Sequence, residues 1–128
     1  MKPYQLATLA MAAGVALGVA ATEGLRAQAP PPAYFIAMHN VRDWDNFLKE
    51  YGDKSAAYVA SRGAHIIVRG GKLIALQGEP PKARVVIQQW DSMDELMAWW
   101  NSPQNAELQK AAAKYATLHA FAVEGQPR

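Results

Sequence analysis

Tyr34-Phe35-Ile36-Ala37-Met38-His39-Asn40-Val41 is an unbroken aromatic and apolar run that ends at the polar pair Arg42-Asp43. Such a run is typical of a strand that is covered on both faces. From Asp43 onwards the apolar residues recur at helical spacing, which predicts a helix with Asp43 as its N-cap. We expect this helix to end at Gly63, although Gly52 within it costs roughly 1 kcal/mol relative to alanine.

Three further apolar segments have the composition of strands, at residues 64–69, 84–90 and 118–123. Gly70-Gly71 separates the first of them from residues 72–76, either as a hairpin turn or as a kink within one bent strand. Between the last two strands, Ser92 and Glu95 form a capping box, and Ser102-Pro103 starts a second helical piece. The capped helix is predicted to bury Met93, Leu96, Met97 and Trp100.

The resulting order, β-α-β(β)-β-α-α-β, predicts an α+β sandwich in which an antiparallel sheet carries helices on one face. Nearly every strand is apolar on both faces, and the chain has no further segment to cover the second face. A second copy of the chain is the simplest cover, so we expect a homodimer that packs sheet against sheet.

The first 29 residues have the pattern of a secretory signal. Lys2 precedes an apolar run over residues 6–21, and Ala27-Gln28-Ala29 resembles a cleavage site. A cut near Ala20-Ala21 and an uncleaved N-terminal anchor are the alternatives. We therefore expect a periplasmic or secreted protein without a membrane span after cleavage. Residues 30–33 form a proline-rich spacer, residues 34–125 the folded domain and residues 126–128 a tail.

The composition excludes several classes of protein. The chain has 128 residues, of which 51% are hydrophobic, and a formal net charge of +2. This fits one globular domain and gives no electrostatic reason to expect nucleic-acid binding. The absence of cysteine excludes disulfide scaffolds, thiol catalysis and cysteine-based zinc sites.

Four short segments, in their order and spacing, carry a family resemblance: residues 68–71, 84–87, 98–103 and 123–125. Through them the chain resembles the domain of unknown function thirteen-thirty family, a member of the dimeric α/β-barrel superfamily. The resemblance implies a ferredoxin-like βαββαβ fold and a face-to-face dimer. It supplies no single function, because the superfamily includes cofactor-free monooxygenases, muconolactone-type isomerases and haem enzymes.

The sequence also departs from the pattern of that family. Gln89 stands in place of an acidic residue, Asn105 in place of a tyrosine, and Ala112 near the position of an arginine. These differences argue against an acid–base constellation of the family type.

Two arginines are candidates for binding an anionic group. Arg69 lies at the end of a strand before Gly-Gly, where its guanidinium can hold a carboxylate through two hydrogen bonds. Arg84 opens the central strand and is expected either to bind the same anion or to pair with Glu79 or Glu124.

The three histidines lie on three different strands. Strict alternation puts His65 and Arg69 on one face, which makes His65 the candidate for proton transfer. His39 is a weaker candidate ligand-binding residue, and His119 a weaker one still. No metal-binding spacing is present, so we predict neither a metal nor another cofactor.

The remaining candidates would shape a ligand pocket. Tyr51 and Trp90 are expected to form its wall, although both also fit ordinary core packing, and Gln89 would add a hydrogen bond. The sequence thus favours a small-molecule-binding protein, or a cofactor-free isomerase- or monooxygenase-like enzyme that acts on a small aromatic or carboxylate compound. A non-catalytic ligand-binding or interaction module of the cell envelope, and haem binding through a histidine, are the alternatives.

Overall fold

Four strands form one antiparallel sheet. The computed structural model describes residues 29–128, so the predicted signal segment lies outside the described residues except for its last position. The strands are β1 (Ala33–Val41), β2 (His65–Arg69), β3 (Arg84–Trp90) and β4 (Ala116–Glu124). β1 pairs with β3 and β4, and β2 pairs with β3, which gives the order β2-β3-β1-β4. This is the ferredoxin-like α+β arrangement that the sequence predicts.

The helices begin where the sequence places their caps. The side chain of Asp43 accepts a hydrogen bond from the Asn46 backbone N–H at 3.3 Å, and the Ser92 hydroxyl accepts one from Glu95 N–H at 3.2 Å. Ser102 caps the last helix, with Pro103 in its first turn. The helical elements are α1 (Trp44–Phe47), a π-helical turn (Leu48–Gly52), α2 (Asp53–Ser61), α3 (Met93–Trp100) and α4 (Pro103–Ala113).

The link between β2 and β3 is an irregular loop, so the prediction of a strand at residues 72–76 was wrong. The Gly70 backbone N–H still donates to the Val85 carbonyl at 2.8 Å. Gly70 and Gly71 then take φ values of +69° and +96°, which turn the chain away from β3. The loop beyond them is exposed, and its Leu76 side chain is 95% accessible.

The hydrophobic core lies between the sheet and the helices. Phe35, Trp90, Leu96 and Trp99 are almost fully buried there, and the indole of Trp99 packs edge-on against Phe35 with ring centroids 5.0 Å apart. Trp99 is the buried indole of α3, whereas Met97, which was expected in the core, is 39% exposed. A second buried cluster joins Phe47, Tyr51, Ala112 and Ala116.

The second face of the sheet is apolar and carries no helix of residues 31–127; we call it the open face. Cross-strand pairs put Ile36 of β1 beside Ile87 of β3 and Phe121 of β4. Phe121 is 51% exposed and Val123 is 45% exposed. Within residues 29–128, no helix is long and apolar enough to cross a membrane.

Candidate functional site

A groove of about 610 Å³ lies where β2 ends and β3 begins. This volume is within the range of small-molecule sites, roughly 300–1,000 Å³. Its walls combine cations with apolar side chains and contain no acidic residue. The lining residues are Trp44, Val68, Arg69, Gly70, Gly71, Lys72, Leu73, Ala83, Arg84 and Val85.

Arg69 reaches the groove across the π-helical turn. Its Nη2 donates to Asp53 Oδ1 at 2.9 Å in an exposed ion pair. Gly52, at the end of the turn, lies beside this arginine: a Cβ there would be at an ordinary contact distance of 3.8 Å from Arg69 Nη2, and its one tight contact, at 3.1 Å, would be with Leu48 Cδ2 of the same turn. The turn therefore packs against the guanidinium, and a π-helical turn is a feature often found at functional sites.

Arg84 is held by an aromatic ring. Its Cζ lies 5.2 Å from the centroid of the exposed Trp44 ring, within cation–π distance. Burial, with a smaller contribution from Arg69, lowers the pKa of Arg84 from its ordinary value. Gly70 packs against it, since a Cβ there would approach Arg84 Nε to 3.1 Å.

The predicted pairing of Arg84 with Glu79 or Glu124 was wrong. Neither glutamate forms an ion pair with Arg84, whereas Arg69 pairs with Asp53 and Lys110 with Glu107. The register explains the result for Glu124. It lies opposite Ala33 at one end of β1, whereas Arg84 lies opposite His39, six residues further along that strand.

A β-bulge separates the two residues that strict alternation put on one face. His65 lies opposite Gln89, but the register shifts between Ile66 and Val68, so that Arg69 lies opposite Val86. Directly opposed residues share a face. His65 therefore belongs to the open face with Gln89, whereas Arg69 belongs to the helix face, and the prediction that His65 and Arg69 share a face was wrong. One extra residue reverses the facing of everything beyond it.

His39 is the histidine that lies next to the two arginines. It is 3% exposed and lines a cavity of about 20 Å³ to which both Arg69 and Arg84 also contribute. Neither imidazole nitrogen has a hydrogen-bond partner among the described residues. Burial, reinforced by the positive charge of Arg84, lowers the pKa of His39 from 6.5 to about 4. The ring is therefore neutral at pH 7, with one donor and one acceptor unused.

Only one of the two predicted wall residues lies at these cavities. The Tyr51 ring packs 5.7 Å from that of His39, and its hydroxyl accepts a hydrogen bond from Gln109 Nε2 at 3.3 Å. Trp90 instead lies in the core, 5.1 Å from Trp99, and its indole N–H donates to Gln88 Oε1 at 3.0 Å.

The remaining polar candidates lie away from the groove. Gln89 and His119 belong to the open face, where they lie opposite Tyr34 and Met38. Buried Asn105 is structural, because its side-chain amide donates to the Trp100 carbonyl at 3.0 Å. Within residues 29–128, no three His, Asp or Glu side chains converge as metal ligands would. The cavity at His39 is too small for a haem, and haem binding by the other two histidines stays a prediction.

Trp44 and Lys72 are groove residues that the sequence reasoning missed. Trp44 fits the apolar stripe of the first helix, so its spacing predicts burial, yet 45% of it is exposed over the groove. The sequence signal that distinguishes it is its position directly after the N-cap Asp43, and in the fold this position lies beside Arg84 at the start of β3. Lys72 was missed because its segment was predicted to be a strand, whereas the structure shows a loop there.

Comparison with solved structures shows the same fold in several proteins. A protein of unknown function from Rhodopseudomonas palustris superimposes with a TM-score of 0.59 at 14% identity, over 75% of this chain and 83% of the other. SnoaB, a cofactor-independent oxygenase from Streptomyces nogalater, gives 0.54 at 16% identity, over 75% and 94%. A possible oxidoreductase of unknown function from Bacteroides thetaiotaomicron gives 0.53 at 12% identity, over 76% and 100%. Identities this low establish the fold alone.

The sequence comparison is more specific about the family. The chain matches no curated protein. Residues 32–126, which include every strand and helix described above, match the domain of unknown function 1330. The resemblance inferred from the four short segments is thereby confirmed, and the chain belongs to the DUF1330 family.

Proposed function

We propose that this protein binds a small carboxylate-bearing compound in the groove between Arg69 and Arg84. The observation that carries the proposal is Arg84 itself. Its guanidinium is partly buried beside a second arginine, and no carboxylate of the described residues pairs with it. A cation in such a position is stabilised by an anionic ligand, and an arginine fork matches the geometry of a carboxylate.

The apolar part of the groove favours an aromatic or compact aliphatic body for this ligand. Trp44, Val68 and Leu73 lie beside the arginines, and Trp44 offers a flat ring. Lys72 adds a third positive charge at the mouth. The groove therefore suits a ligand with an acidic group at one end and an apolar surface at the other, such as benzoate.

Replacing Arg84 with methionine tests this function. Calorimetry with benzoate at pH 7 is expected to show at least a tenfold loss of affinity, because a charge-assisted hydrogen bond is worth about 1.5–3 kcal/mol. Arg62→Met is the matched control, since Arg62 also lies over a ring, that of Tyr58 at 5.9 Å, but is remote from the groove. Equal affinities of the wild type and Arg84→Met would refute the proposal.

A cofactor-free enzyme is the second candidate. The fold is shared with a cofactor-independent oxygenase, and the neutral, buried His39 lies beside the anion site. This geometry favours His39 over His65 as the residue for proton transfer. Turnover of a bound carboxylate that is lost in His39→Leu would support the enzyme, whereas binding without turnover supports a non-catalytic module of the cell envelope.

Export to the periplasm or the medium completes the proposal, on the strength of the signal pattern in residues 1–29. After expression in an exporting bacterial host, we expect mass spectrometry to find a mature chain that begins near Pro30, in the periplasmic fraction. An intact chain that begins at Met1 and stays with the cytoplasmic fraction would refute export. An intact chain in the membrane fraction would instead identify an uncleaved anchor.

A further inference from the structure

The groove and the cavity at His39 are neighbouring parts of one site, because Arg69 and Arg84 line both. The register places His39 directly opposite Arg84 on adjacent strands, with both side chains on the helix face. A ligand whose carboxylate lies on the arginines therefore has His39 within reach of its next polar group. Given the proposed carboxylate site, on which this inference rests, His39 is the residue placed to decide which carboxylates bind best.

His39 is a buried polar side chain whose hydrogen bonds are unmade. Its ring lies between Phe47, at a centroid distance of 5.2 Å, and Tyr51, at 5.7 Å. Both of its nitrogens lack partners among the described residues. Leaving a buried polar group unpaired costs about 1–3 kcal/mol, so such a group in a folded protein calls for an explanation.

The size of the cavity limits what can satisfy these nitrogens. Its volume of about 20 Å³ is enough for a single water-sized group. A second carboxylate is too large for it. An ammonium group would be repelled by Arg84 and Arg69, which both line the cavity. A hydroxyl fits because it is small, uncharged and both a donor and an acceptor, as neutral imidazole is.

We propose that the cavity at His39 receives a hydroxyl group of the ligand, so that the site selects hydroxycarboxylates over the same carboxylates without the hydroxyl. The carboxylate lies on Arg69 and Arg84, and the hydroxyl exchanges a hydrogen bond with the imidazole of His39. Discrimination of this kind is strong because the analogue without the hydroxyl leaves a buried polar group unpaired.

The test compares benzoate with 2-, 3- and 4-hydroxybenzoate on the wild-type protein by calorimetry at pH 7. At least one isomer is expected to bind tenfold or more tightly than benzoate, and the best isomer reports the spacing between the arginines and His39. If none of the three binds more tightly than benzoate, the inference is wrong. If benzoate and all three isomers fail to bind, the carboxylate site itself is refuted.

Substitution of His39 gives the second readout. His39→Leu is expected to retain the affinity for benzoate but to lose the preference for the hydroxylated isomer. Arg62→Met, which lines neither the groove nor the cavity, is the control and is expected to keep both. A preference that survives in His39→Leu would overturn the inference. Nitrogen NMR of the wild-type imidazole provides a readout that does not depend on the variant, because the His39 signals are expected to shift with the hydroxylated isomer and not with benzoate.

Discussion

Replacing Ile36 with glutamate is expected to convert the homodimer that the sequence predicts into a monomer. Ile36 lies on β1 at the middle of the open face, with Ile87 on one side and Phe121 on the other. Burial of such a side chain is worth about 1.5–3 kcal/mol, and a buried, unpaired carboxylate costs several kcal/mol more. Both copies carry the change, so the dimer Kd is expected to rise by roughly a thousandfold or more.

Sedimentation of the domain measures this change directly. The wild type is expected to sediment as a dimer at micromolar concentration, and Ile36→Glu as a folded monomer. Ala57→Glu places the same charge on an exposed apolar side chain of α2 in the helix layer, and it is expected to leave the dimer intact. A wild-type monomer, or a dimer that withstands Ile36→Glu, would refute packing through the open face.

The sequence predicted the fold well because the relevant signals are local. The run before Arg42 marks β1, and the hydroxyls of Ser92 and Ser102 each accept the backbone hydrogen bond that their cap positions require. Those signals give the order of the elements. The residues that form the open face likewise follow from the alternation of side chains along β1, β3 and β4.

The candidate site was predicted less well, because it depends on two irregularities that have no periodic signal. The bulge between Ile66 and Val68 reverses the facing of Arg69 relative to His65. The π-helical turn that ends at Gly52 brings Tyr51 against His39, in a helix that the spacing predicted to be regular. Both features insert one residue, and neither changes the composition of its segment.

Long-range contacts account for the remaining differences. Trp90 and Trp99 pack together in the core, whereas Trp44 lies exposed at the groove. All three are tryptophans in predicted strands or helices, so residue type alone does not tell them apart. The side chains that surround Arg84 likewise depend on the end of the sheet at which it lies. That position follows from the strand register and not from distance along the chain. Such choices become visible only when the elements are placed side by side.

Acid is expected to destabilise the folded protein through His39. In the unfolded chain its imidazole titrates with a pKa of about 6.5. In the fold, burial and Arg84 lower that pKa to about 4. Between these two pH values the unfolded chain binds the proton more readily than the fold does. The free energy of unfolding is therefore fully maintained above pH 6.5 and declines as the pH falls towards 4, by about 3 kcal/mol in total.

The groups that face His39 explain why its pKa is lowered and not raised. Arg84 of β3 and Arg69 of β2 are both cationic, and the π-helical turn contributes the phenol of Tyr51. Of the carboxylates near these elements, Asp53 at the start of α2 is engaged by Arg69, and Glu50 of the π-helical turn accepts a hydrogen bond from the Tyr115 hydroxyl at 2.8 Å. The lining of the His39 cavity thus includes no carboxylate that would favour the imidazolium form, so a proton added there remains uncompensated.

Urea unfolding at pH 7, 5 and 4, at one fixed protein concentration, measures the effect. The wild-type midpoint is expected to fall across this range. In His39→Leu the midpoint is expected to fall less, because the contribution of the imidazole is removed. His65→Gln removes a histidine of the open face, away from the arginines, and is expected to retain the part of the decline that belongs to His39. An identical pH dependence in His39→Leu and the wild type would show that His39 is protonated as readily in the fold as in the unfolded chain. That result would refute the interpretation of His39 as a neutral side chain beside the two arginines.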